Sequence, residues 1–304
     1  RDAAAVVPAL VDAGVCGFKL SLYETDPVRF PRIPDDELLS VLPAIRDAGR
    51  VALFHAENGE IVDSLVANFQ ARGETSPLAH GKSRPPLSET LAIAKLLEMA
   101  WELRVPVHVV HVTVPRGFTL VDQYRRWGAD VTAETCIQYL VLSEEDMPRL
   151  GAFGKVNPPL RSPEAREGLW REILAGRVDI VTSDHVAWPR AVKSHDNIFA
   201  NSSGMPGVGL LLPLLFSEGV VKRGMSVNRL VQLVSEGPAK RFGLYPQKGA
   251  IQPGADADLS VIDPNVTWTF RTSDDPGAPE WSAYDGITIT GRVVRTIVRG
   301  QTVY

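Results

Sequence analysis

The chain has 304 residues, 44% of them hydrophobic, with 32 Lys and Arg against 36 Asp and Glu and a net charge of −4. That is enough apolar material for one large α/β domain or two smaller ones, and the scattered, slightly acidic charge offers no basic face to nucleic acid. No apolar run approaches the roughly 18 to 20 residues that cross a bilayer, and no signal segment opens the chain, so the expectation is a cytoplasmic protein with neither a membrane nor a nucleic acid as partner.

Residues 3–13 carry small apolar side chains and stop at Gly14, a helix with a glycine stop. A buried strand over 15–22 follows. Asp35-Asp36-Glu37 opens an apolar-periodic helix through Leu38, Leu39, Val41, Leu42 and Ile45 to Gly49, with acids where the helix dipole favours them. Next come a strand over 51–55, a helix over 59–72 and a polar, Pro-rich loop over 73–87, long enough to cover a site. Ser88 and Glu89 start a helix whose Leu91, Ala94, Leu97 and Trp101 fall at helical spacing. Beyond it the pattern predicts a strand at 105–112, a helix at 116–127 and a strand at 129–134. Glu144-Glu145-Asp146 reads as a solvated helix start. Residues 148–163 are irregular, and a helix at 164–175 precedes a strand at 178–183.

Gly204-Met-Pro-Gly207-Val-Gly209 has no strand before it and no Lys-Ser/Thr after it, so it reads as a turn and not a phosphate loop. Two helices, 210–223 and 226–242, lead into four short strands at 257–262, 267–270, 287–290 and 293–298. The expected division is therefore an α/β unit over 1–245 and a small β unit over 246–304. Strand–helix alternation argues for a parallel sheet, closed or doubly wound. Five strands are counted, and a closed eight-fold barrel would need three more.

Lys19, His55, His111 and Asp184 each stand at or just past the end of one of these apolar runs. In a parallel α/β barrel the strand ends converge on one mouth, so the four residues predict one metal site. Lys19 joins it only as a neutral amine or as a carbamate formed with carbon dioxide, because an ammonium repels a cation. A lone His at a strand end is more often structural, and Asp184 has a bland alternative as a helix cap. His108 and His111 are three apart, so period-two alternation lets only one point inward. His111, nearer the strand end, is the choice, with His108 left as a hydrogen-bonded core or interface residue. His80, His185 and His195 lie in loop-like sequence and read as solvated. Cys16 and Cys136 are too few for a disulfide framework and read as reduced, buried thiols.

These residues carry a resemblance. Gly17-Phe-Lys19, Phe54-His-Ala-Glu-Asn-Gly59, His80-Gly-Lys-Ser-Arg-Pro85, Val110-His-Val-Thr113, Ala133-Glu-Thr-Cys-Ile-Gln-Tyr-Leu140, Asn157-Pro-Pro-Leu-Arg161, Thr182-Ser-Asp-His185, Gly207-Val-Gly209 and Lys248-Gly-Ala-Ile-Gln-Pro-Gly-Ala-Asp-Ala-Asp258 run nearly end to end. Together they resemble the cyclic amidohydrolases of the hydantoinase, dihydropyrimidinase and allantoinase group. The resemblance implies a metal-dependent-hydrolase (β/α)8 TIM barrel, here about strands four to eight, with part of a small C-terminal β-sandwich. It implies two divalent ions, zinc in most members, bridged by carboxylated Lys19, with His55 and His111 on one ion and Asp184 on the other. It further implies hydrolysis of a cyclic amide by a metal-bridging hydroxide, with Asp184 as general base, in a homo-oligomer that is commonly a tetramer.

The departures are specific. No His-x-His, the pair the family's first strand contributes, occurs in these residues, and Arg1 stands where a Met would start. The expectation is an N-terminally truncated piece, which alone is not expected to be active. Tyr23 stands one residue before the family's carbonyl-polarising Tyr, Asn157 replaces a Ser before Pro-Pro-Leu-Arg, and Ser203 replaces an Asn that reads the ring. These three are the substrate-binding candidates. Hydantoin or a dihydropyrimidine is the first substrate reading, and allantoinase or dihydroorotase-like activity the alternative. A reading of another class is a non-catalytic scaffold related to the dihydropyrimidinases. Retention of Lys19, His55, His111 and Asp184 together argues against it.

Overall fold

A computed structural model of the chain describes residues 3–274 and 280–304. Five strands, β1 (Gly17–Ser21), β2 (Val51–His55), β3 (Val107–Val109), β4 (Val131–Cys136) and β5 (Ile180–Thr182), pair in parallel in the order β1-β2-β3-β4-β5. A doubly wound sheet reverses its order at a switch point, whereas this one never does, so it is wound in one sense as a barrel is. Among the described residues β1 and β5 each have one neighbour. Lys19 on β1 and Asp184 just beyond β5 are exposed.

The crossovers follow from the apolar pattern. After a 3₁₀ turn at Ala4–Val6, α1 (Val7–Asp12) ends near Gly14, whose φ of 92° is one that other residues resist. Helix α2 (Asp35–Asp47) buries Leu38, Val41, Leu42 and Ile45 in the i, i+3, i+4, i+7 pattern. The Asn58 side chain caps α3 (Gly59–Ala71) by accepting from Ile61 N. The expected loop at 73–87 contains a helix, α4 (Pro77–Lys82), which Pro77 helps start at N1. Helix α5 (Pro86–Leu103) buries Ile93, Leu96, Leu97 and Ala100, and α6 (Pro115–Trp127) packs Phe118 and Val121 inward. Beyond β4 come α7 (Ile137–Val141), α8 (Met147–Leu150) and α9 (Pro163–Leu174). The acidic run at 144–146 is a 3₁₀ turn closed by a capping box between Ser143 and Asp146.

Three expectations are corrected. The strands predicted at 105–112 and 178–183 are three residues each. The helices predicted at 210–223 and 226–242 are composite, with π-helical turns at Phe216–Val221 and Gln232–Glu236 that hydrophobic periodicity does not reveal. The four short strands are two long ones, β6 (Leu259–Thr269) and β7 (Thr288–Val298), paired antiparallel with register shifts at 261/262 and 263/267, and β8 (Gln301–Thr302) completes this sheet. Pro264 and Gly291 lie within these strands. Gly291 has φ 96° and faces Phe216, whose ring a Cβ there would meet at 2.4 Å. Cys136 is buried as expected, but Cys16 is exposed.

The β unit is joined to the α/β body through Thr290 N to Ser217 Oγ at 3.0 Å and Trp281 Nε1 to the Trp188 carbonyl at 2.9 Å. Phe270, Trp281, Tyr284 and Ile289 belong to the same apolar core as β2, β3 and β4. No helix among the described residues is long and apolar enough to cross a membrane.

Two buried lysines fasten segment 186–204 to the body. Lys155 Nζ donates to the Asn201 carbonyl at 2.5 Å, and Lys193 Nζ donates to the carbonyls of Gly204 at 2.6 Å and Lys155 at 3.0 Å. Burial, and then the charge of Arg84, pulls Lys155 down to about 8; burial, and then Lys155, pulls Lys193 down to about 7. Unfolded, both titrate near 10.5. Between about pH 7 and 10.5 the unfolded chain thus binds more protons, and these groups make stability rise with pH. In Lys193→Met the gain in urea midpoint from about pH 7.5 to about pH 9.5 is expected to be smaller than the parent's. Equal gains in both proteins would mean that Lys193 is charged in the fold.

Candidate active site

A cavity of about 540 Å³ opens at the C-terminal ends of the parallel strands, and its wall includes Lys19, Tyr23, His55, His111, Asn157 and Asp184. Register explains part of this convergence. Lys19 pairs with Leu53, Leu53 with His108 and His108 with Thr132, and Ser21 pairs with His55. By period-two alternation Lys19, His55, His108 and Glu134 share one face of the sheet.

The expectation that only one of His108 and His111 can point inward is therefore corrected. His108 lies deeper on that face, with Nδ1 2.7 Å from Thr132 Oγ1 and Nε2 3.2 Å from Glu134 Oε2. Strand β3 ends at Val109, and His111 takes φ 45°, which breaks the alternation and turns its ring to the same side. Asp184 does likewise with φ 43°. Only four non-glycine residues among those described have positive φ, and two of them are here. Each left-handed residue costs roughly 1–3 kcal/mol, a strain that gathers where function requires it.

The two histidines face each other, with His55 Nδ1 3.0 Å from His111 Nε2 and their rings at 69°. The other nitrogen of His55, Nε2, lies 2.8 Å from Glu57 Oε2, which also accepts from Arg84 Nη1 at 2.7 Å. Burial would raise the Glu57 pKa, but the Arg84 guanidinium and His55 hold it well below the usual carboxylate range. The Glu57 carboxylate is thus an acceptor beside His55 Nε2, and His55 Nδ1 faces His111 Nε2. Burial, and then the Lys19 and His55 charges, push the His111 imidazole well below its ordinary value and keep it neutral. With no proton between them, His55 Nδ1 and His111 Nε2, 3.0 Å apart, would form a donor pair. Two ligands on one tetrahedral zinc, each bound at about 2.0–2.1 Å, lie roughly 3.3 Å apart, so the donor set fits a divalent ion.

Lys19 and Asp184 complete the picture electrostatically. Crowding by surrounding protein lowers Lys19, opposed by Asp184 and then Glu134, and the same crowding raises Asp184, opposed by Lys19. Both residues are exposed, so solvent screens these effects. Among the described residues no three His, Cys, Asp or Glu side chains converge to hold an ion by themselves. Lys19 is the additional group in the pocket able to supply oxygen donors, once it is carboxylated.

Tyr23 stands 6.2 Å from the His55 ring, whereas Glu24, at the family's position, is exposed. Asn157 Oδ1 is buried with no hydrogen-bond partner among the described residues. Ser203 lines the cavity, and its carbonyl accepts from Trp188 Nε1 at 2.8 Å. His195 is exposed as read, and His185 Nδ1 accepts from Gly207 N at 3.1 Å. His80 is corrected. It is buried on α4, bonds Val156 O at 2.9 Å and lines the cavity together with Arg84 and Lys155. Sequence reasoning gave no role to Arg84 or Lys155. For Arg84 the signal was His80-Gly-Lys-Ser-Arg-Pro85, which places a charged residue just before the helix that opens at Pro86.

Comparisons with known proteins agree with this geometry. The model of the Amidohydrolase family matches residues 19–303. An allantoinase of Rubrobacter xylanophilus is 39% identical over 295 residues, covering 97% of this chain, and an L-hydantoinase of Paenarthrobacter aurescens is 35% identical over 294 residues, covering 96%. The chain spans 65% and 64% of their respective lengths. The solved L-hydantoinase (dihydropyrimidinase) from Arthrobacter aurescens superposes with a TM-score of 0.96 at 34% identity, over 99% of this chain and 67% of that one.

Proposed function

Because this chain belongs to the amidohydrolase family, we propose that its strand-end site serves the metal-dependent hydrolysis of a cyclic amide or ureide, such as a hydantoin, a dihydropyrimidine or allantoin. The observation that carries the reading is the 3.0 Å approach of His55 Nδ1 to His111 Nε2 in a cavity that also holds Lys19 and Asp184. His55, His111, Asp184 and carboxylated Lys19 would hold two divalent ions, zinc by the family pattern. Such ions lower the pKa of water and polarise an amide carbonyl.

The chain's own residues do the rest. Asp184 presents a carboxylate to the cavity and is the general base. It takes the proton of the attacking water and delivers it to the ring nitrogen as the carbon–nitrogen bond breaks, so that the ring opens to one chain carrying a carboxylate at one end and the protonated nitrogen at the other. Tyr23, beside His55, donates to the scissile carbonyl. Asn157 Oδ1 accepts a ring N–H, which satisfies its buried oxygen, and Ser203 borders the ring from segment 201–204. A homo-oligomer, a tetramer by family resemblance, is the proposed assembly.

The test is turnover of hydantoin, dihydrouracil, allantoin and dihydroorotate by the zinc-loaded full-length protein. Zinc-dependent opening of at least one ring supports the reading, and zinc-loaded protein inert towards all four overturns it. Replacing Asn157 by Ala removes one neutral acceptor and is expected to raise KM roughly 3- to 10-fold with kcat nearly unchanged. An unchanged KM would remove Asn157 from the binding surface.

A further inference from the structure

Behind the proposed site lies a buried ionic network that the hydrolytic reading does not use. Glu57 is fully buried, and both of its donors, His55 Nε2 at 2.8 Å and Arg84 Nη1 at 2.7 Å, converge on one oxygen. Arg84, buried too, lays its guanidinium 4.5 Å from the Tyr23 ring centroid. A second ion pair continues the chain of contacts, with Arg161 Nη2 3.0 Å from Glu89 Oε2. Arg161 Nε donates to Thr113 Oγ1 at 2.8 Å, and Thr113 N donates to Glu89 Oε1 at 2.7 Å. The two pairs join where Arg161 Nη1 donates to the Arg84 carbonyl.

The network thus begins on His55 and ends on Thr113, two residues beyond the left-handed backbone of His111. Its members come from four separate segments, and no acid or base among them is exposed. Stability alone does not account for such an arrangement, because a buried ion pair gains little over well-packed apolar groups of the same volume. Its termini do. A carboxylate on the far nitrogen of a metal-ligating imidazole fixes the tautomer and ring orientation.

Resting on the reading that His55 and His111 hold a metal, we propose that Glu57 and Arg84 are positioning residues that lock the His55 proton on Nε2, so that Nδ1 is presented beside His111 Nε2. Glu89 and Arg161 hold the Thr113 end, and with it the turn that carries His111. The same Arg84 guanidinium supports Tyr23, so one buried cation positions both a ligand histidine and the group next to the substrate carbonyl.

Two measurements test this and separate it from the metal reading. In metal-free protein, side-chain 15N–1H spectra should show His55 protonated at Nε2, with a slowly exchanging, carboxylate-bonded proton that is absent in Glu57→Ala. Zinc affinity, read by chelator competition, should fall roughly 10- to 100-fold in Glu57→Ala and by less in Glu57→Gln, which keeps an acceptor and the shape. Glu57→Ala leaves Arg84 buried without its anion, so the double variant Glu57→Ala/Arg84→Met serves where the single one does not fold, with the same loss expected. A double variant that binds zinc as the parent does, or a parent His55 with its proton on Nδ1, overturns the proposal. Should the parent bind no zinc at all, the metal reading fails and the ring spectra alone decide the relay: the bonded Nε2 proton, lost in Glu57→Ala, supports it, and its absence from the parent overturns it.

Discussion

Asp184→Asn is expected to lower kcat roughly 10²- to 10⁴-fold, the range for loss of a positioned general base, with a much smaller change in KM. Asn preserves the size of the side chain and one oxygen donor, but its amide cannot take a proton from water and return it to the ring nitrogen. Asp184 has its pKa raised by crowding and opposed by Lys19, and carboxylation of Lys19 reverses the sign of that neighbour. A carbamate would leave Asp184 beside an anion in place of a cation, and it would then be the bound ions that keep the carboxylate ionised. Steady-state rates of ring opening across pH check this. A variant within about 3-fold of the parent kcat would show that proton transfer does not pass through Asp184.

Lys19→Ala is expected to abolish measurable turnover, because the position supplies the carbamate proposed to lie between the two ions. The substitution trims a side chain that already reaches solvent, so the fold should tolerate it. The space left behind admits a small carboxylic acid, and acetate or propionate at high concentration should restore part of the activity while chloride does not. Full activity in Lys19→Ala without added acid would remove the bridging role.

Much of this was legible because period-two and period-3.6 patterns survive wherever one face is buried. The strand at 51–55 and the helix starting at 59 match β2 and α3, and the four strand-end residues do meet in one cavity. The illegible parts have physical causes. The left-handed turn at His111 is invisible to an alternation argument, so His108 was sent to the wrong face. Pro264 and Gly291 look like strand breakers, yet bulged antiparallel strands accommodate such residues without ending. Glu57 was visible beside His55 as a polar neighbour, but its partner Arg84 lies 27 residues on, and no spacing rule links them. His80 looked like a loop residue because the helix around it is six residues long and opens on a Pro.

The measurement that bears most directly on the whole account is the zinc bound per chain at equilibrium, in bicarbonate-containing buffer, for the parent, His111→Ala and Lys19→Ala. The account predicts saturable binding by the parent that falls when bicarbonate is withheld, clear loss in His111→Ala, and loss in Lys19→Ala that is the same with or without bicarbonate. A parent that binds no zinc, or variants that bind as much as the parent, would contradict it.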